Sequence, residues 1–146
     1  VFFSSEYGTG AGLVNVRATG TIAAAEEVYF SRDMRNHHSS SVLVGETVYG
    51  FSSSILTALK FDTGDLAWRD RSIGKGSLIY ADQRLYLYSE GGVVGLAEAN
   101  PTVYRERGRF AIQAGNSPTW SHPIITNGKL ILRDQDTVFA YDITAR

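Results

Sequence analysis

SSSVLVGETVYGFSSSILTALKF (Ser39 to Phe61) is followed at an offset of 37 residues by GSLIYADQRLYLYSEGGVVGLAEA (Gly76 to Ala99), and the two strings carry one pattern in one order. At that offset Val48-Tyr49-Gly50-Phe51 lies over Leu85-Tyr86-Leu87-Tyr88, and Leu59 over Leu96. A third copy, HPIITNGKLILRDQDTVFAYD (His122 to Asp142), follows at an offset of 45, which sets Leu130 on Leu85 and Tyr141 on Leu96. The eight additional residues fall between Glu98 and Ser121, where an outer strand and its loops vary without disturbing a core. A partial copy comes first, VFFSSEYGTGAGLVNV and then AEEVYFSRD, and it lacks the opening of the unit. Val1 falls inside a strand-like run, so an upstream segment is expected to supply what this copy lacks.

Within each copy a short apolar run, a polar turn, an alternating run, a second turn and a third apolar run succeed one another. That order reads as period-two strands joined by hairpins. The turns Val44-Gly45-Glu46-Thr47, Asp82-Gln83-Arg84 and Asn127-Gly128-Lys129 use residue types that tolerate positive φ or cap themselves. A fourth strand is expected at Asp65 to Arg71 and at Tyr104 to Ile112.

Four strands in each repeat of 37 to 45 residues is the blade unit of a β-propeller. The competing arrangement is a meander sandwich, but sandwiches seldom repeat their own turns in register. The fold class is therefore all-β: a partial β-propeller of about 3.5 four-stranded antiparallel blades. Approximate divisions are 1–35 (incomplete), 36–72, 73–117 and 118–146 (incomplete). TGTIAAAEEVYF (Thr19 to Phe30) carries good helix formers, yet it stands where the repeat needs an outer strand. A turn running into a strand is expected there.

Composition sets further bounds. The 146 residues are 43% hydrophobic and 12% aromatic, ample to bury a core. Fourteen basic and fifteen acidic residues leave a net charge of −1, with no basic run to neutralise a phosphate backbone. Nucleic acid is not expected as a partner. No apolar run reaches the roughly 18 to 20 residues that span a bilayer, so no transmembrane segment is expected. Cysteine is absent, which excludes disulfides and thiolate chemistry and is compatible with a reducing or an oxidising compartment.

One segment is more specific. ALKFDTGDLAW (Ala58 to Trp68) resembles the signature of pyrroloquinoline-quinone-like (PQQ-like) propeller repeats: a strand ending in Ala58-Leu59 leads through a Thr63-Gly64 turn to Trp68. Glycine supplies positive φ at the turn, and the indole can pack between neighbouring blades. The next copy departs from this, with Ala99-Asn100-Pro101 at the turn and no tryptophan after it, and the first copy has Tyr29 and Phe30 instead. MRNHHSSSVLVG, GKGSLI, LYSEGG and LRDQDTVFAYDI further resemble the carboxy-terminal half of bacterial PQQ-like propeller repeat proteins. The resemblance implies an exported, periplasmic setting.

Blade geometry then locates a candidate site. The loop entering the first strand and the turn between second and third strands open on one face of a propeller, near its central channel. By the offsets, His38, Lys75 and Trp120 are equivalent in the first of these loops, and Ser53, Glu90 and Gln135 in the second. Asn36, His37, His38, Lys75, Glu90 and Trp120 are the ligand-binding candidates at this channel mouth. Ala58, Leu59, Thr63, Gly64 and Trp68 are the blade-docking signature.

Each candidate has a plainer alternative. The histidines suit ligand or proton-transfer chemistry, or loop packing. Lys75 can hold an anion or pair with Glu90. Glu90 can bind a cation, act as a base, or remain solvated. Trp120 can stack on a planar ligand or close the channel. His122, beside Pro123, is placed on the same face.

No metal ligand set is assigned, because adjacent histidines in a strand-like segment point in opposite directions; three histidines from separate blades are the alternative. GTGAG (Gly8 to Gly12) is read as a hairpin turn, since a phosphate cradle needs a following helix.

Two functions compete. The first is a binding or scaffolding module for a protein or small ligand, suggested by the lack of a nucleophile elbow, metal triad or paired carboxylates; no catalytic residue is assigned. The alternative implied by the resemblance is a fragment of a quinoprotein alcohol dehydrogenase, with PQQ and calcium as cofactors. Enzymes of that class commonly carry adjacent cysteines, and this chain has none. An incomplete ring leaves unpaired edges, so the expected partner is the missing amino-terminal half of the propeller or a second copy of the chain.

Overall fold

A computed structural model of the chain describes residues 1–113 and 115–144. Ala114, in the expected third segment, and the last two residues of the fourth lie outside the described residues. The first sheet comprises β1 (Phe2–Ser5), β2 (Gly10–Thr19) and β3 (Ile22–Ser31). The second comprises β4 (Val42–Val44), β5 (Thr47–Ser52), β6 (Ile55–Lys60) and β7 (Leu66–Asp70). The third contains β8 (Gly76–Ala81), β9 (Arg84–Ser89), β10 (Val93–Glu98) and β11 (Glu106–Ala111), and the fourth β12 (Ile124–Thr126), β13 (Lys129–Asp134) and β14 (Thr137–Asp142).

In every sheet the strands follow chain order and pair antiparallel with their sequence neighbours. Three, four, four and three strands make three and a half blades of an all-β propeller. No helix occurs among the described residues, so none long and apolar enough to cross a membrane does. The Ala-rich run Ile22 to Ser31 is a strand: pairing with β2 overrides the helix propensity of its alanines and glutamates.

The turns set the strand spacing. Asp82 and Gln83 (φ 48° and 60°) and Asn127 and Gly128 (φ 48° and 70°) are left-handed at both central positions, the condition for the tight hairpin whose twist matches its strands. The fourth strand of a blade is bulged, with a register shift at Leu13/Val14, Ala58/Leu59 and Leu96/Ala97. One extra outer-strand residue in three blades re-aims the side chains that follow it.

The alternating side chains explain why the middle strands are apolar on both faces. In β5 and β6, the paired Val48 and Leu59 turn toward the first blade and pack with Ala11 and Met34. Tyr49, Phe51, Leu56 and Ala58 turn the other way, onto Leu78, Leu85, Leu87 and Ala97 of the third blade. In β9 the same alternation sends Leu85 and Leu87 to the second blade and Tyr88 to the fourth, where it meets Leu130 and Leu132. Each blade thus contributes to the core on both sides, and burying one such large side chain stabilises the stack by about 1.5–3 kcal/mol.

The signature residues lie at these junctions. Trp68 is 8% exposed, packed between Tyr49 and Tyr104 with ring centroids 5.9 and 6.0 Å away. Its indole N–H donates to the Asn100 carbonyl at 2.8 Å, in the turn of the next blade. Tyr29 does the same one blade earlier: its ring lies so close to Gly64 (φ 73°) that a Cβ there would stand 2.5 Å from it. Gly64 is required twice, by its backbone conformation and by the ring that docks on it.

Candidate functional site at the channel mouth

Three short segments enter the inner strands, and each is tied to the hairpin of its own blade. Ser53 N–H donates to the Arg35 carbonyl at 2.9 Å, and Glu90 N–H to the Lys75 carbonyl at 2.8 Å. Gln135 Nε2 donates to the Pro118 carbonyl at 2.9 Å. A further bond crosses between blades, from Thr119 N–H to the Glu90 carbonyl at 3.1 Å. Backbone bonds therefore fix the loops of the second and third blades and join the fourth to the third, and the Gln135 side chain ties the fourth to its own hairpin.

Glu90 is the hub of the mouth. Its Oε1 accepts the Trp120 indole N–H at 2.7 Å, lies 3.3 Å from Lys75 Nζ and 3.7 Å from His38 Nδ1. The His38 ring stacks on Trp120 at 5.8 Å with 18° between planes, and His37 meets the same indole edge-on at 5.5 Å. His122 approaches from the other side, its Nε2 3.0 Å from the His38 carbonyl oxygen. His37, His38, Lys75, Glu90 and Trp120 thus form one cluster, with Glu90 and Lys75 paired.

The remaining candidates have other surroundings. Asn36 is buried: its amide donates to the Phe51 carbonyl at 3.1 Å, its Oδ1 accepts from Ser41 Oγ at 2.9 Å, and its backbone N–H donates to Ser4 Oγ at 3.0 Å. Those bonds anchor the loop that carries the two histidines. Ser53 has φ 57° and Gln135 φ 50°, so both occupy the left-handed turn position that the offsets made equivalent.

One expectation needs correcting. Adjacent histidines diverge only in extended backbone, whereas His37 and His38 lie in a bend, and their Nδ1 atoms are 3.3 Å apart. Tyr7 is the mouth residue that the sequence reading missed. Its hydroxyl is 2.5 Å from His37 Nε2, and its φ of 58° matches Ser53 and Gln135. The signal was present: the connection between β1 and β2 takes the corresponding place in the incomplete first copy, with four residues where the turns of Ser53 and Gln135 have two.

Electrostatically the mouth is balanced. Burial of His38 lowers its pKa, an effect that Glu90 opposes and that Lys75, His37 and His122 reinforce. A neutral imidazole keeps a lone pair for a proton or a cation. A cleft of about 750 Å³ opens beside Trp120, lined also by Pro118, Thr119, Ser121, Arg133 and Gln135. With a carboxylate, an ammonium, imidazoles and aromatic faces, the mouth can hold a cation, an anion or a planar group.

No protein-family model and no curated protein matches this chain. Among solved structures, the crystal structure of BamB from Moraxella catarrhalis is similar, with a TM-score of 0.61 at 14% sequence identity. The match covers 81% of this chain and 36% of that one, so the chain spans little more than a third of the length of that structure. At this identity the likeness carries the fold, a β-propeller.

Proposed function

We propose that the chain is a binding or scaffolding module of the PQQ-like propeller type, which presents the channel mouth to a protein or small ligand. The observation that carries this reading is a pair of exposed aromatics, Tyr7 at 84% and Trp120 at 56% exposure, flanking the half-buried cluster of His38, Lys75 and Glu90. Exposed rings beside fixed, partly desolvated polar groups are what recognition surfaces use for affinity and orientation.

A photoreactive side chain at position 136, an exposed position on the cleft beside Trp120, tests the proposal in cells. A discrete adduct is expected at 136 and none at Ile22, far out on the first blade. Equal labelling at both positions would sink it, as would dye reduction with simple alcohols once PQQ and calcium are added.

The end faces support a second part of the reading. Phe3 and Phe30 are exposed on the face of the first blade turned away from the second. Ile124 and Val138 are exposed on the fourth blade's face turned away from the third. Such apolar faces are where a further blade stacks, so their partners are more blades, from the same polypeptide or from a second copy. A stable isolated monomer in light scattering would count against this. An exported, periplasmic setting is the location that the family resemblance favours, and a cytoplasmic pool in fractionated cells would contradict it.

A further inference from the structure

We propose that His37, His38 and Glu90 form a site for a divalent cation of zinc type at the channel mouth. The proposal rests on reading the mouth as a binding face and names one ligand of it. One ligand atom from each of the three side chains lies within 4.8 Å of the others.

The spacing has a specific meaning. Around zinc, nitrogen ligands at about 2.0–2.1 Å in a tetrahedron stand roughly 3.3–3.4 Å apart. The Nδ1 atoms of His37 and His38 are 3.3 Å apart, and Glu90 Oε1 is 3.7 Å from His38 Nδ1. The two imidazoles already span one edge of the tetrahedron, Glu90 stands a few tenths of an ångström beyond the length of the edge to His38, and the third edge, to His37, is within 4.8 Å. Three protein ligands leave a fourth position open toward the mouth, the arrangement of zinc sites that take a water or an incoming group. Two imidazoles and one carboxylate favour zinc and its later first-row neighbours over magnesium or calcium, which prefer oxygen.

The groups behind the ligands also fit. The Tyr7 hydroxyl beside His37 Nε2 can accept its N–H, leaving the Nδ1 lone pair for the cation. The Trp120 indole holds Glu90 in place. Outer partners of this kind orient metal-binding imidazoles and carboxylates.

Lys75 is the opposing element, its ammonium 3.3 Å from the Glu90 oxygen that a cation would use. A cation must therefore displace it, and this makes the test sharper. Removing a lysine that merely stabilises the loop loosens the site, whereas removing a competitor tightens it.

The test is calorimetric titration of zinc chloride into the chelator-treated full chain, with circular dichroism confirming that each variant folds. One equivalent is expected to bind. His38→Ala and His37→Gln should each weaken binding by more than about 100-fold, and Tyr7→Phe by roughly 10-fold, as for loss of an outer partner. Lys75→Gln should tighten it, and magnesium should give no heat. Folded histidine variants that bind zinc like the parent overturn the proposal, as does weaker binding in Lys75→Gln.

Crosslinking at position 136 in excess chelator, with Trp120 and the three ligands intact, separates the two readings. An adduct without zinc binding leaves the docking face standing and removes the metal; zinc binding without an adduct does the reverse.

Discussion

The junction between the second and third blades is closed by Trp68, and the junction between the third and fourth has glycine at the same place. Counting from the bulge, Trp68 pairs with Ala58 and Gly108 pairs with Leu96, each the first residue after the register shift. At the first junction the indole fills the gap and reaches Asn100. At the second, a cleft of about 340 Å³ remains, lined by Tyr86, Val94, Leu96, Phe110, Leu130 and Tyr141. Phe110 covers part of it, its ring 4.9 Å from Tyr141, but Phe110 is half exposed. The antiparallel pairing and the bulge repeat while the docking side chain does not, so blade geometry is set by strand pairing, and the aromatic wedge fixes how tightly two blades join.

The largest effect should come from opening the closed junction. Trp68→Ala removes a buried ring and its hydrogen bond and is expected to cost about 3–5 kcal/mol, read as a lower midpoint in urea unfolding. A loss as small as that of a surface substitution would mean that the indole does not join the blades.

The reverse change is smaller and of opposite sign. A Cβ at Gly108 meets nothing within 4 Å, so Gly108→Trp should fill the cleft and raise stability by about 0.5–2 kcal/mol, the usual return of cavity filling. Destabilisation there would show that the fourth blade is not free to receive a wedge.

The smallest effect is on pH. Tyr104, which flanks Trp68, donates to Glu106 at 2.7 Å, and Arg109 beside Glu106 holds its carboxyl below the ordinary value of 4.5. A carboxyl held low in the folded state contributes stability that is complete above about pH 4.5 and is lost as pH falls through the lower folded value. Arg109 is exposed and Glu106 is partly so, so solvent screens the pair and the loss should be small. Acid titration of Trp68 fluorescence in a Trp120→Phe background should show it at the closed junction, and Glu106→Gln should abolish it. A pH-independent signal in the parent would mean that the ion pair does not steady Tyr104.

Much of this was legible in the chain. The offsets of 37 and 45 residues located the first two strands of each unit, but the third is displaced by one: the β9–β10 hairpin is a residue longer than β5–β6, so Leu59 and Tyr141 correspond to Ala97 and not to Leu96. The offsets also made Lys75 and Trp120, and separately Glu90 and Gln135, equivalent on one face. The signature around Gly64 marked a docking turn, although that Tyr29 docks on it was not legible.

Other features were hidden for identifiable reasons. Gly108 could not be matched with Trp68 by counting from the turn, because the turn before β11 is longer and only the bulge restores the equivalence. The convergence of His37 and His38 depends on a bend stabilised by Asn36, whose partners Ser4 and Phe51 belong to different blades.

Periodicity, turn residues and the single complete signature determined by themselves that the chain is all-β, that its unit is a blade and that certain loops share a face. These are properties of short segments, set by alternation and by the φ angles that particular residues accept. Tertiary structure alone decided which side chains meet: Tyr7 with His37 and Trp120 with Glu90 across 30 residues, and His122 with His38 across 84. Such contacts arise when separate blades stack, and stacking is fixed by bulges and packed rings whose effect on register no local pattern records.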